Sequence, residues 1–409
     1  MIIATPEISL RNGQVTVSAR IQFANHPLNK PETAWFRLPE KYAPYISGRA
    51  DAFAAALLPL AQALGEDLTI EGPLSPRLLN GMREYQLALA FWFPKLMRIV
   101  DIRADNLRPL AAEQAGRNCV ALFSGGVDSS YTVLQHLPEN QPIPDYQVRG
   151  ALFVHGLDIP LQNQASYSES LQIFSQQLGP LGVELIPCAT NLHYFSSGLL
   201  TWGIAHGGVI TGSGLVLDGW AANLLVSSSY SLDGLIPWGS SPMIDHLLST
   251  ETLKVIHYGA AASRIDKVYA ISGWQPAQNF LRVCVDEAHR LGTSNCSRCE
   301  KCIRTMSMLE ICGTLSSFKT FKQPFRKGDI YRWTPHYEGG EVWVDQTIEF
   351  ARRHGKQEFV FPVQVAHFKA KLRAWVYKRL PNWLFKRIKA QVFPYENDIF
   401  NPIFLPPEI

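Results

Sequence analysis

The chain carries almost no charge imbalance. Its 38 lysines and arginines against 35 aspartates and glutamates leave a formal net charge of +3 over 409 residues. Charge alone therefore makes no case for a nucleic-acid or polyanion partner. No apolar run of membrane-spanning length is free of polar residues. The nearest, residues 203–226, holds His206, Asp218, Asn223 and six glycines, and reads as a buried helix followed by a core strand. No basic-then-apolar leader opens the sequence, because Met1-Ile2-Ile3-Ala4 runs directly into a strand-like pattern. Gly-Lys-Ser/Thr phosphate loops, the GxGxxG fingerprint, internal repeats and low-complexity tracts are all missing. No Ser-His-Asp or Cys-His arrangement is visible either, which argues against a protein nucleophile. Cysteines number seven, three of them closely spaced. Without a leader they suggest metal chemistry in a reducing cytoplasm rather than disulfides.

What is present is concentrated in two places. The first is Ser124-Gly125-Gly126-Val127-Asp128-Ser129. It follows the apolar run Cys119-Val120-Ala121-Leu122-Phe123, a buried parallel strand by pattern, and precedes a helix from Ser130 to Leu137 that Pro138 stops. A strand, a glycine turn and a helix start form an anion cradle. Gly125 and Gly126 let the backbone approach a phosphate, the first helical N–H groups point at it, and the hydroxyls of Ser124, Ser129 and Ser130 add donors. An aspartate inside such a cradle repels phosphate unless it holds a cation, so Asp128 is assigned to Mg²⁺.

The second is Cys296-Ser297-Arg298-Cys299-Glu300-Lys301-Cys302, with Cys284 twelve residues upstream. Four thiolates suit a closed tetrahedral zinc site, and Arg298, Lys301 and Arg304 offset its negative charge. Cys284 is the first choice for the fourth ligand, with His289 or Cys312 behind it. An iron–sulfur cluster is the chemical rival. Cys119 and Cys188 sit in strand runs and read as ordinary buried residues.

The length suggests two or three domains. Residues 1–115 read as an N-terminal α+β module, with a hairpin across 8–23 turning at Asn12-Gly13 and helices at 50–64 and 78–93. Residues 116–318 alternate strand and helix, with strands at 150–155, 183–187 and 223–227 and helices at 167–178 and 204–222. That alternation predicts an α/β, doubly wound parallel sheet binding its ligand at the strands' carboxyl ends, where the glycine turn, His155-Gly156 and Ser227-Ser228-Ser229 would line one rim. Residues 319–409 form an aromatic, basic, helical extension. No acidic residue occurs between Glu358 and Glu396, and eight lysines and arginines fall in that window. Segment 365–392 could grip nucleic acid or lie on an acidic membrane surface. We favour a helical pair packing its Trp/Leu face, Trp375 and Leu372 among it, on the body with its lysines in solvent.

The SGGVDS string together with the cysteine knot resembles the PP-loop ATP pyrophosphatases, specifically their 7-cyano-7-deazaguanine synthase (QueC-like) branch, over residues 118–312. The resemblance implies a PP-loop (HUP-like) fold. It also implies an ATP-dependent ligase that uses ATP, Mg²⁺ and Zn²⁺, adenylates a carboxylate with release of pyrophosphate, and passes it to ammonia. Positional matches extend it. Trp202-Gly203-Ile204-Ala205-His206-Gly207 stands where the family introduces a helix beside the nucleotide, which assigns His206 to the α-phosphate and Gly207, with His155, to ATP. Arg264-Ile265-Asp266-Lys267 resembles the helix start that approaches the phosphates, which makes Arg264 and Lys267 catalytic candidates beside Asp128. Ser227–Ser228–Ser229 and the following residues to Asp233 sit like the post-strand loop.

Two departures point to a paralogue with another substrate. Where the family carries a Tyr-Pro-Asp-Cys-Arg-Pro-Glu-type loop, this chain has Trp238-Gly239-Ser240-Ser241-Pro242-Met243-Ile244-Asp245, and the Cys284–Cys296 interval is longer. The flanking extensions leave room for a bulky, protein-linked or polymer-linked carboxylate and for an amine donor in place of ammonia; a homodimer is an admissible assembly. Two alternatives stay open: a PP-loop sulfur transferase acting on tRNA, and a non-catalytic nucleotide-binding scaffold.

Overall fold

In the computed structural model the described residues are 1–24, 30–284, 294–333, 340–377 and 379. They divide into two compact units that interleave along the sequence. The first comprises Met1–Ser124, Thr132–Ser228 and Pro237–Gly259; the second comprises Gly125–Tyr131, Ser229–Ile236 and the described part of Ala260–Ile409.

All the described strands belong to the first unit. They are β1 (Ile2–Ile3), β2 (Glu7–Arg11), β3 (Gln14–Gln22), β4 (Thr33–Pro39), β5 (Leu68–Leu74), β6 (Ile102–Leu107), β7 (Asn118–Leu122), β8 (Val148–His155), β9 (Glu184–Thr190), β10 (Ala221–Ser227) and β11 (Lys254–Tyr258). One large, mostly parallel sheet takes the order β11-β10-β7-β8-β9-β4-β3-β1-β5-β6, with β2 beside β3. The run from β11 to β9 is parallel throughout, as are β1–β5 and β5–β6. The protein is thus α/β, compatible with a Rossmann-like arrangement. Residues 1–115, expected as a module of their own, share this sheet: β4 pairs antiparallel with β9 through Phe36↔Thr190 and Arg37↔Ala189.

Local chemistry explains the elements. Asn12 and Gly13 both adopt positive φ, 53° and 72°, the twist that joins β2 to β3 in a tight hairpin. The helix Pro76–Trp92 starts with proline at its first position, and Ser75 Oγ accepts from Leu78 N at 3.0 Å. The helix expected at 204–222 runs Trp202–Leu215 and packs on Asp51–Leu64. The two backbones approach so closely that a Cβ on Gly212 would lie 2.4 Å from Ala52 O. Its small residues are therefore packing residues, and no helix among the described residues is long and apolar enough to cross a membrane.

The second unit is helical: Arg264–Ser272, Gln275–Phe280, Glu300–Ile311, Gly340–Arg353 and Val360–Tyr377. Trp333, Ile330 and Met306 are buried within it. The last helix buries Val363, Ala366 and Ala370. Leu372 and Trp375, expected on its packing face, are exposed instead, because the small residues give the closer approach and claim that face. The remainder of the basic extension, including Lys378, Trp383, Lys386, Arg387 and Lys389, lies outside the described residues.

Candidate functional site

The helix Val127–Gln135 begins directly after the two glycines. Gly125 has φ +74°, left-handed backbone that a side chain would strain. Ser130 N closes onto Gly126 O at 3.0 Å, and Ser129 Oγ donates to the same carbonyl at 3.3 Å. Ser130 Oγ is buried and has no hydrogen-bond partner.

Asp128 lies in the first helical turn and accepts from two cations on one helix far along the chain. Its Oδ2 lies 2.8 Å from Arg264 Nη1 and its Oδ1 3.3 Å from Lys267 Nζ. The spacing of Arg264 and Lys267, three residues apart on the helix Arg264–Ser272, puts both on one face. That helix is started by a capping box between Ser263 and Asp266. The second unit thereby gathers the glycine turn, Asp128, Arg264 and Lys267, which the sequence pattern had assigned to one centre. Burial lowers the pKa of Lys267, against the raising influence of Asp128, and the Arg264 charge lowers it further. Arg264 is likewise depressed by burial and by Arg304, while Asp128 opposes. Among the described groups, Arg264, Lys267 and Arg304 against Asp128 and Glu300 leave a positive excess, and Arg264 Nε has no hydrogen-bond partner. This is what an anion would find favourable. Both oxygens of Asp128 are engaged, so a magnesium ion there would replace one of the two cations.

Arg264 is held from behind by groups the sequence reading missed. Its guanidinium lies 5.5 Å from the Trp343 ring centroid and that of Arg304 lies 4.1 Å from it. Tyr230 stacks on the same indole at 5.4 Å. Arg304 is fixed by Glu300 at 3.4 Å, and Glu300 Oε1 accepts from Trp333 Nε1 at 3.0 Å. Gln346 Nε2 donates to Ser231 Oγ at 2.7 Å and so orders the loop after β10. No motif flags Trp343 or Gln346, since their contacts exist only after folding.

The four cysteines converge. The sulfur atoms of Cys284, Cys296, Cys299 and Cys302 all lie within 4.8 Å of one another, and Cys296–Cys302 is 3.9 Å. Tetrahedral zinc with Zn–S bonds of about 2.3 Å needs sulfurs roughly 3.8 Å apart, so the group can hold a metal ion such as zinc. The turn is made by Ser297 at φ 60°, and the N–H groups of Arg298 and Cys299 donate to Cys296 Sγ at 3.4 and 3.3 Å. The thiols of Cys284, Cys299 and Cys302, joined by the Arg298 N–H, hold the Cys296 thiol far below its ordinary range. Cys284 therefore completes the group; Cys312 stands outside it, its thiol pushed up to about 12 by burial. Cys119 and Cys188 are also pushed up to about 12 by burial, as ordinary core residues. His289 lies outside the described residues.

Asn295 ties this centre together and was not foreseen. Its Oδ1 accepts from the N–H groups of Val283 and Cys284 at 2.8 and 3.0 Å, and its Nδ2 donates to Leu281 O and Thr320 Oγ1 at 2.8 and 3.0 Å. Arg282 N, two residues before Cys284, donates to Gly125 O at 2.8 Å.

The remaining candidates lie in the first unit. His155 Nε2 meets Pro160 O at 2.9 Å and its ring stacks on Tyr167 at 4.3 Å. His206 Nδ1 meets Trp202 O at 3.0 Å between the Trp202 and Trp238 rings, and burial lowers its pKa. Gly207 has a packing reason to be glycine, since a Cβ there would lie 1.7 Å from Gly239 O. Asp245, in the expected substrate loop, is buried and bonded to His257, Ser240 and Ser241. Compared with known proteins, the chain matches no family model, no curated protein and no solved structure.

Proposed function

We propose that this chain is an ATP-dependent, AMP-forming C–N ligase of the PP-loop, QueC-like type, with a carboxylate acceptor and ammonia or an amine as donor. One observation carries the reading: Asp128, Arg264 and Lys267 meet beside the Gly125-Gly126 turn although Arg264 stands 136 positions after Asp128 in the chain. Those are the residues the resemblance assigns to the reacting phosphates. ATP and magnesium, the PP-loop character of the α/β arrangement and a structural zinc ion all belong to this proposal.

In this mechanism the turn amides and the hydroxyls of Ser129 and Ser130 hold the β- and γ-phosphates. An acceptor carboxylate oxygen bonds to the α-phosphorus while the bond to the pyrophosphate oxygen breaks. Arg264 and Lys267 meet the charge that builds on the non-bridging oxygens. The amine nitrogen then attacks the acyl carbon, AMP departs with the bonding electron pair, and the nitrogen loses a proton. Magnesium would neutralise phosphate charge beside Asp128. The rate comes from positioning and electrostatics, without a protein nucleophile.

The test is AMP and pyrophosphate formation from ATP with a panel of carboxylates, together with carboxylate-dependent ATP–pyrophosphate exchange. Lys267→Ala should lower either rate by about 100-fold or more. Exchange that survives both Lys267→Ala and Asp128→Ala would show that adenylation occurs elsewhere.

A further inference from the structure

The helix Val360–Tyr377 has two apolar faces, and among the described residues only one is packed. Val363, Ala366 and Ala370 are buried where the helix packs on Gly340–Arg353 and on the turn Lys327–Arg332. The opposite side carries Phe361, Phe368, Leu372 and Trp375, which are 67%, 67%, 49% and 54% exposed. Their spacings of seven, four and three residues align them, at about 100° per residue, in one narrow stripe. Scattered surface hydrophobes need no explanation, but four large ones in register on one helix do. Lys369 and Lys371, both exposed, fall to either side of the stripe. Arg379 stands over the Trp375 ring at 4.0 Å.

We infer that this face is a docking surface for an anionic lipid bilayer, with the helix lying in the headgroup plane. The apolar stripe supplies burial at the acyl boundary. The lysines flanking the stripe, Lys369 with its Nζ 5.4 Å from the Tyr331 ring centroid, put positive charge at headgroup level, and Trp375 with Arg379 forms an interfacial anchor. Charge complementarity selects the occupant: the sequence has no acidic residue between Glu358 and Glu396 but eight basic ones, as a negative surface requires. A nucleic-acid duplex, its bases already stacked, would be met by the lysines alone and would leave four large apolar side chains in water. The helix does not span, since none among the described residues is long and apolar enough.

The experiment is co-sedimentation of the full chain with vesicles of equimolar phosphatidylcholine and phosphatidylserine, against phosphatidylcholine alone. Binding is expected only to the anionic vesicles, and raised salt should weaken it. Phe368→Gln with Trp375→Gln, both exposed and therefore compatible with folding, should lower partitioning more than about tenfold. Lys369→Glu with Lys371→Glu should lower it by at least about fivefold per lysine. Circular dichroism and pyrophosphate binding of these variants should match the parent. Absence of vesicle binding overturns the inference, as does binding that ignores both double substitutions. It is equally overturned if the Phe368/Trp375 variant dissociates a solution dimer, or abolishes binding to duplex RNA, while neither protein binds vesicles.

Discussion

The backbone N–H of Arg282 donates to the carbonyl oxygen of Gly125 over 2.8 Å, and Cys284 follows two residues later. The first thiol of the cysteine group and the glycine turn are thus braced by one short stretch of chain. Loss of a metal held by that group should therefore be felt at the glycine turn. Cys302→Ser, or chelation of the purified protein, should weaken pyrophosphate binding by about tenfold or more, read by calorimetry. Unchanged affinity would show that the turn holds its shape without the cysteine centre.

The cysteine centre should contain about one zinc ion per chain by elemental analysis. Asn295→Ala keeps all four thiols but removes four hydrogen bonds that align Cys284 with Cys296. Zinc affinity should fall about 10- to 100-fold, measured by competition with a chromophoric chelator. Iron with labile sulfide would instead favour the sulfur-transfer reading.

Asp128→Asn removes the anion shared by Arg264 and Lys267. Buried Lys267 and half-buried Arg264 then face each other, so magnesium-free pyrophosphate should bind about tenfold more tightly than to the parent. Turnover with ATP should nonetheless fall by about 100-fold or more, because the place for magnesium is gone. Weaker pyrophosphate binding would mean that Asp128 shapes the turn rather than balancing the cations.

Gly125→Ala places a side chain at φ +74° and should cost about 1–2 kcal/mol in denaturant unfolding. A smaller loss would mean that the turn relaxes at no expense.

Asp218 governs a pH dependence remote from the site. Burial, with help from Asp51, pushes its carboxyl up to about 7, while Ser47, Arg49 and the Gly219 N–H pull the other way. A raised acid pKa means the folded chain holds a proton that the unfolded chain releases. Its contribution is present below the ordinary carboxylate range and is lost as pH rises through about 7. The melting temperature of Asp218→Asn relative to the parent should rise between about pH 4 and pH 7, because the variant lacks the carboxyl whose proton is lost in that range.

Much of the site was legible because its chemistry is local in sequence. The glycine turn is contiguous, and three of the four thiols fall within seven residues, Cys296 to Cys302. The fourth, Cys284, was legible only as a preference over His289 and Cys312, because the Asn295 bonds that bring it in form after folding. His155, His206 and Gly207 show what such a pattern leaves open: a histidine at a strand end or a glycine in a helix carries it whatever it packs on, and the structure sets them against Pro160, Trp202 and Gly239.

By itself the sequence determined the alternation of strands and helices, the hairpin at Asn12-Gly13, the cradle at Gly125-Gly126 and the thiol-rich turn at Cys296. Each depends on hydrophobic period, backbone freedom or spacing within a few residues. Only the tertiary structure decided that β4 joins β9 to make one sheet of the first 115 residues and the parallel strands. It alone set Arg264 and Lys267 on Asp128, and turned Phe368 and Trp375 of the last helix outward. Those outcomes rest on contacts between segments far apart in the chain, where packing and charge neutralisation choose among arrangements that local pattern leaves equivalent.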